Sequence, residues 1–397
     1  MELSQGLCML PGTLFYRRFG PRLTIAVGSV VSTAGIALAN LAVDKSLAWV
    51  EVTYGFLNGL GVGLVYTVPI LVGYKWFPKN KGLVSGVVVG GYGLGGIIFT
   101  TMQTSFINPD NVSPEDDGFF HDEALLDRVP NVFLLQAGVC VGLQLVGFLG
   151  VRDPPSKTPQ SDSAPEAANS ELKTESEAEI TGELRRGGDV SKHSVAGGAR
   201  NVYSVKEALR TLAIYQLLLG YILNTFPISF IIPLWKAFGQ TFIKDDFFLE
   251  LVGSGSSVFN MLGRIAWGFS CDLFGYKPVM VLMSGLFCSL MLTLQSTSEG
   301  GKVMFLIWIW AIFLCFSGTF SVVITGTAET FGAESAGQIY GLIFVVGSML
   351  SIFSSFLNNL LLDRYGYSLL LLVTGLINGV GFIVTLTFRP PKRRTVD

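Results

Sequence analysis

Two segments decide how this chain folds: Arg17-Arg18-Phe19-Gly20-Pro21-Arg22 and Gly268-Phe269-Ser270-Cys271-Asp272-Leu273-Phe274-Gly275-Tyr276-Lys277. Each closes one apolar run and opens another, and Gly20 and Gly275 stand at matching points. A repeated basic turn between apolar runs describes a membrane protein built from two similar helical halves. The halves are unequal, because the second turn is preceded by one helix that the first lacks.

Composition agrees. Of 397 residues, 50% are apolar and 14% charged, against about 25% charged in soluble domains. The 30 Phe and 47 Gly suit membrane helices, which use glycine for close packing. Cys8, Cys140, Cys271, Cys288 and Cys315 lie in or beside apolar runs without metal-like spacing, and read as small buried hydrophobes. His121 and His193 both lie in polar loops, which excludes a zinc or histidine-relay enzyme. No cofactor or nucleic acid is expected, and the partners implied are a small organic anion and the lipid bilayer.

A bilayer pass takes about 17–25 apolar residues. Such runs occupy 23–43, 48–74, 82–105, 131–151, 208–235, 247–270, 278–297, 303–326, 336–362 and 367–388. Residues 1–16 form a shorter run that holds Glu2, without the basic start or small-residue site of a signal peptide. It reads as the tail of a helix. Residues 152–206, rich in Ser, Glu, Lys and Gly, read as a disordered linker between the halves. Residues 106–130 form an acidic loop with a sequon, Asn111-Val112-Ser113, followed by Pro114. The domains expected are 1–151, the linker 152–206, 207–389 and a basic tail 390–397.

Charge sets the orientation. Arg17, Arg18, Arg22, Lys75, Lys79, Lys81, Lys277, Arg389, Lys392, Arg393 and Arg394 fall on one side, against Lys45, Arg128, Lys244, Lys302 and Arg364 on the other. The eleven define the cytoplasmic side by the positive-inside rule. The loop 327–335, with two glutamates and no base, runs against this majority.

Five visible helices, a linker and six more resemble the major facilitator superfamily, which has two six-helix halves and a Gly-x-x-x-Asp-x-x-Gly-x-Arg/Lys turn in each. The second copy here matches at Gly268, Asp272, Gly275 and Lys277. The first keeps Gly20 and Arg22 but carries Arg17 where the resemblance requires Asp. The resemblance implies an all-α membrane protein, a two-halved bundle with about 11 of 12 transmembrane helices, the first absent. The stretch from Tyr54 to Tyr66, with Gly55, Gly59 and Gly63, resembles the oxalate/formate antiporter and monocarboxylate porter families. So do Lys75-Trp76-Phe77-Pro78-Lys79, Asn260-Met261-Leu262-Gly263-Arg264 and Gly337-Gln338-Ile339-Tyr340-Gly341.

Arg264 is the sharpest candidate. Eight residues before Asp272, it stands roughly 12 Å along a helix from the cytoplasmic end, where a cation is costly unless it faces water or an anion. Its planar fork suits a carboxylate, and the resemblance implies carboxylate binding at this place. Asn260, one turn earlier, shares that face; it either donates to substrate or is a packing amide. The monocarboxylate porters carry Asp there. Tyr66, Tyr92, Asn224 and Tyr340 are polar groups inside apolar runs, each a cavity liner or an interhelical hydrogen-bonding group. Gly55, Gly59 and Gly63, and Gly86 and Gly90, read as packing seams.

Oxalate-transporting relatives carry a second cation, a Lys, where alignment puts Val346, and one cation suits one carboxylate. The expected function is exchange or uniport of a small monocarboxylate such as pyruvate, lactate or formate, in the plasma membrane rather than an organelle. The alternative is a non-transporting sensor or truncated isoform that modulates a full-length partner. Topology is directly testable: with native cysteines replaced, an impermeant thiol reagent on intact cells should label a single cysteine in 106–130 and spare one in 152–206. Equal labelling overturns the orientation.

Overall fold

The computed structural model describes residues 1–110, 121–155 and 203–391, and all regular structure among them is helical. The sequon at Asn111, most of the linker and the tail from Lys392 lie outside the described residues. The helices are α1 (Glu2–Ala42), α2 (Leu47–Trp76), α3 (Lys81–Ile107), α4 (Val129–Gly150), α5 (Leu212–Gln240), α6 (Asp246–Phe274), α7 (Tyr276–Thr293), α8 (Thr297–Phe331) and α9 (Ala333–Leu386).

The paired turns carry the same backbone. Gly20 has φ 80° and ψ 174°, and Gly275 has φ 80° and ψ 168°. Only glycine adopts this region without steric cost, and Pro21 then starts the next pass with its φ already helical. Gly20 therefore divides α1 into two passes, and Gly366 (φ 74°) does the same to α9. With α2 to α8, this makes eleven helical passes among the described residues. α5 consists of Leu212–Thr225 and Ile228–Gln240, joined through Pro227, which cannot donate the amide that a continuous helix needs.

Among the described residues, seven helical stretches are long and apolar enough to cross a bilayer, and α6 is not one of them. It carries Glu250, Ser254, Ser256, Ser257, Asn260 and Arg264, and both Ser256 and Arg264 are buried in the bundle. A helix whose polar residues point into protein need not be apolar overall.

The halves meet along two helix pairs, α3 with α6 and the first pass of α1 with α9. Gly82 and Gly268 lie so close that a Cβ on either would strike the carbonyl oxygen of the other. Farther along, a Cβ on Gly86 would lie 2.5 Å from the Arg264 carbonyl oxygen, and one on Gly93 2.9 Å from Asn260 Oδ1. Gly6, Gly337 and Gly341 make the matching close approaches between α1 and α9. These seams run from the basic end toward the middle. Beyond them Ile98 and Phe106 on α3, and Phe247 and Leu251 on α6, are exposed. The closest backbone approaches between the halves gather toward the basic end.

Asp272 fastens this end. Its Oδ1 accepts from the Gly82 amide and its Oδ2 from the Leu83 amide, both at 2.7 Å. A carboxylate on two first-turn amides satisfies orphan donors and complements the helix dipole. On the other seam Arg17 donates to the Glu334 carbonyl. The two glutamates that break the charge rule have structural partners here: Glu329 Oε2 accepts from the Tyr276 amide at 3.1 Å, and the Glu334 backbone takes Arg17.

A charged hydrogen bond contributes about 1.5–3 kcal/mol, and about 1.4 kcal/mol is a factor of ten. Asp272→Asn should therefore accelerate thiol labelling of a buried Ser85→Cys from the cytoplasmic side by about tenfold or more. An unchanged rate removes Asp272 from the closure.

Candidate functional site

The contact that closes the basic end also places Arg264. Its backbone lies against Gly86 on α3, and its carbonyl accepts from Ser321 Oγ on α8 at 3.0 Å. The side chain is 5% exposed. Nε donates to Asn260 Oδ1 at 2.9 Å, and Nη1 donates to the Val89 carbonyl at 3.3 Å. The guanidinium lies 4.9 Å from the Phe320 ring centre and 5.4 Å from that of Tyr92, a contact worth about 2 kcal/mol when desolvated. A guanidinium has five N–H donors, so most of them are uncommitted. No carboxylate pairs with Arg264 among the described residues.

Rings from both halves wall the approach. Tyr66 stacks on Tyr340 at 6.3 Å, and Phe344 lies 6.1 Å from Tyr66 and 6.0 Å from Tyr340. Tyr221 is 6.3 Å from Phe344 and 6.4 Å from Phe320, which carries the chain of rings to Arg264. Tyr340 is fully buried, and its hydroxyl, although near Tyr66, makes no hydrogen bond of acceptable geometry. Tyr92 is 59% exposed. At the acidic end Glu2 Oε2 accepts from Ser351 Oγ at 3.5 Å. Toward the basic end Tyr74, Ser85 and Thr325 join their hydroxyls across the halves; Thr325 Oγ1 donates to Ser85 Oγ at 3.1 Å.

Of the six binding candidates, Arg264, Asn260, Tyr66, Tyr92 and Tyr340 come together here. Asn260 acquires a definite partner, because its carbonyl oxygen holds the arginine. Asn224 does not join them. It is fully buried; its Oδ1 accepts from Ser284 Oγ at 3.0 Å and Asn378 Nδ2 at 3.1 Å, and its Nδ2 donates to the Gly220 carbonyl at 2.8 Å. It is the interhelical amide of the two accounts, since α7 and α9 supply all the partners its oxygen takes. The sequence reading missed Tyr221, Phe320 and Phe344. Tyr221 stands three residues before Asn224, and its position in an apolar run was the available signal. Among the turn residues, Gly268 and Asp272 form the closure, Gly20 and Gly275 the bends, and Arg22 Nε donates to the Val151 carbonyl at 3.3 Å. Lys277 is half-buried in the first turn of α7.

The chain is 28% identical to Apicoplast pyruvate carrier 1 of Toxoplasma gondii over 86% of its own length and 64% of that protein's. It therefore spans just under two thirds of that relative. It is 20% identical to the Oxalate:formate antiporter of Oxalobacter formigenes, over 97% of this chain and 79% of that one. In fold it resembles the solved transporter FucP in the outward conformation, with a TM-score of 0.66 and 15% identity over 98% of this chain and 89% of that one. The proton:xylose symporter XylE gives 0.68 and 13%, over 98% and 84%. The Major Facilitator Superfamily model matches residues 1–212 and 217–397. This sequence, helical throughout the regular structure of its described residues, belongs to the Major Facilitator Superfamily.

Proposed function

We propose that this transporter moves a small monocarboxylate, of pyruvate, lactate or formate type, by rocking its halves about Arg264. The observation that carries the reading is a desolvated guanidinium with free donors and no carboxylate of its own among the described residues. Removing a cation from water costs several kcal/mol unless an anion or hydrogen bonds compensate. A substrate carboxylate supplies that anion through two parallel N–H bonds.

Ring walls suit a short apolar body behind the carboxylate, and one cation balances one charge. The relatives named as pyruvate carrier and oxalate:formate antiporter support a carboxylate substrate. Asn260 holds no proton at neutral pH, so it fixes the fork without coupling transport to protons; exchange or uniport follows. The halves pack most closely at the basic end, an arrangement suited to loading from the opposite side, taken as outside. Residence is proposed in the plasma membrane, and a tagged chain found in an internal organelle would overturn that part.

The test is uptake into vesicles of purified protein. Losing a buried charged partner costs about 2–5 kcal/mol, so Arg264→Ala should reduce labelled pyruvate uptake by about 30-fold or more. Arg264→Lys keeps the charge but loses the fork, and should recover a small part. Lactate should compete better than oxalate. Undiminished uptake by the alanine variant, present at normal levels, would remove Arg264 from the site.

A further inference from the structure

At the basic end, away from the central site, Phe19, Gly20, Pro21, Arg22, Arg152 and Asp153 enclose a hollow of about 500 Å³. Its one carboxylate is already committed. Asp153 Oδ1 pairs with Lys75 Nζ at 2.8 Å and accepts from the Tyr16 hydroxyl at 3.4 Å. Trp76 Nε1 donates to the Arg152 carbonyl at 2.8 Å and ties this segment to the end of α2. Arg22 and Arg152 are exposed, and neither pairs with a carboxylate among the described residues. Arg18 stands over the Phe19 ring at 5.4 Å. Cationic charge therefore exceeds anionic charge around the hollow.

The hollow also opens onto an apolar strip. Leu23, Val27 and Val30 follow on the second pass of α1, share one face by their spacing, and are all exposed. A free anion would use only the arginines, whereas an amphiphile uses both features. We propose that the hollow seats the phosphate of an anionic phospholipid of the cytoplasmic leaflet. Arg22 and Arg152 hold the headgroup and an acyl chain lies along Leu23, Val27 and Val30. Basic pockets at this level recognise such headgroups, and arginine forks match phosphate oxygens. The lipid would brace the Gly20 bend.

The test is lipid retention by the full chain. Protein in vesicles of equal phosphatidylglycerol and phosphatidylcholine is extracted and its bound lipid counted by native mass spectrometry. Wild type should retain phosphatidylglycerol about tenfold or more over Arg22→Gln/Arg152→Gln. Arg22→Lys/Arg152→Lys should restore part of it, and Val27→Asn should reduce it with the arginines intact. If the double glutamine variant fails to fold, each single substitution should still lower retention. Equal retention in wild type and the arginine variants overturns the proposal. Glycerol phosphate displacing the lipid at equal concentration reduces the site to a free-phosphate site and overturns the lipid assignment. Retention that appears only after residues 160–184 are deleted would make that acidic stretch the occupant instead.

Discussion

Everything in this bundle is registered by the Asp272 carboxylate on the first-turn amides of α3. At 2.7 Å to two adjacent N–H groups, it fixes both the separation and the axial offset of α3 and α6. Gly82 and Gly268 permit the approach; the carboxylate specifies it. Arg264 lies eight residues back along the same helix, so the offset that suits Asp272 also puts the arginine backbone against Gly86. Its guanidinium then meets the Val89 carbonyl. Closure and site are two readings of one helix contact. A change at the basic end therefore alters the geometry of the arginine without touching it.

The second seam lacks that device. Where the repeat would carry an acid, Arg17 lies near the start of α9 and bonds a carbonyl, that of Glu334. A cation near a helix N-terminus gains nothing from the dipole, whereas an anion there gains about 0.3–1 kcal/mol. The α1–α9 contact combines glycine packing with the Arg17–Glu334 carbonyl and Ser351–Glu2 hydrogen bonds, the α3–α6 contact with one carboxylate shared by two amides.

Much of this was legible in the sequence for a physical reason. Gly20 and Gly275 were matched as letters and share a φ of 80°, because only glycine makes that bend. Arg264 and Asn260 were read together from a spacing of four, which a helix turns directly into contact. Asn224 was legible only as a polar group in an apolar run. Its partners Ser284 and Asn378 come from elements distant in sequence, which local periodicity does not encode. Tyr221, Phe320 and Phe344 were invisible for the converse reason: an aromatic in a membrane helix reads as lipid or core, and only the assembled bundle brings three of them into one wall. Hydropathy alone also mishandles α6, whose polar face carries the site and lowers its apolar average.

The proposed role of Arg264 follows from what the empty and filled states must each satisfy. Without substrate the guanidinium is held by one amide oxygen, one carbonyl and two ring faces, all neutral, so its charge is solvated but not balanced. A bound carboxylate balances it and makes the centre neutral. Rocking the halves carries the centre through a moment when both ends are closed and water is excluded, and a neutral centre crosses that barrier at lower cost than a bare cation. The difference applies only to the moving step, and it favours loaded over unloaded return. On the proposed function, a site with one arginine and no carboxylate paired to it among the described residues favours exchange, with net uniport as its slower limit. A dicarboxylate would leave one negative charge uncompensated in the same closed state, so in the proposed function selection of one carboxylate and selection of exchange rest on the same charge balance.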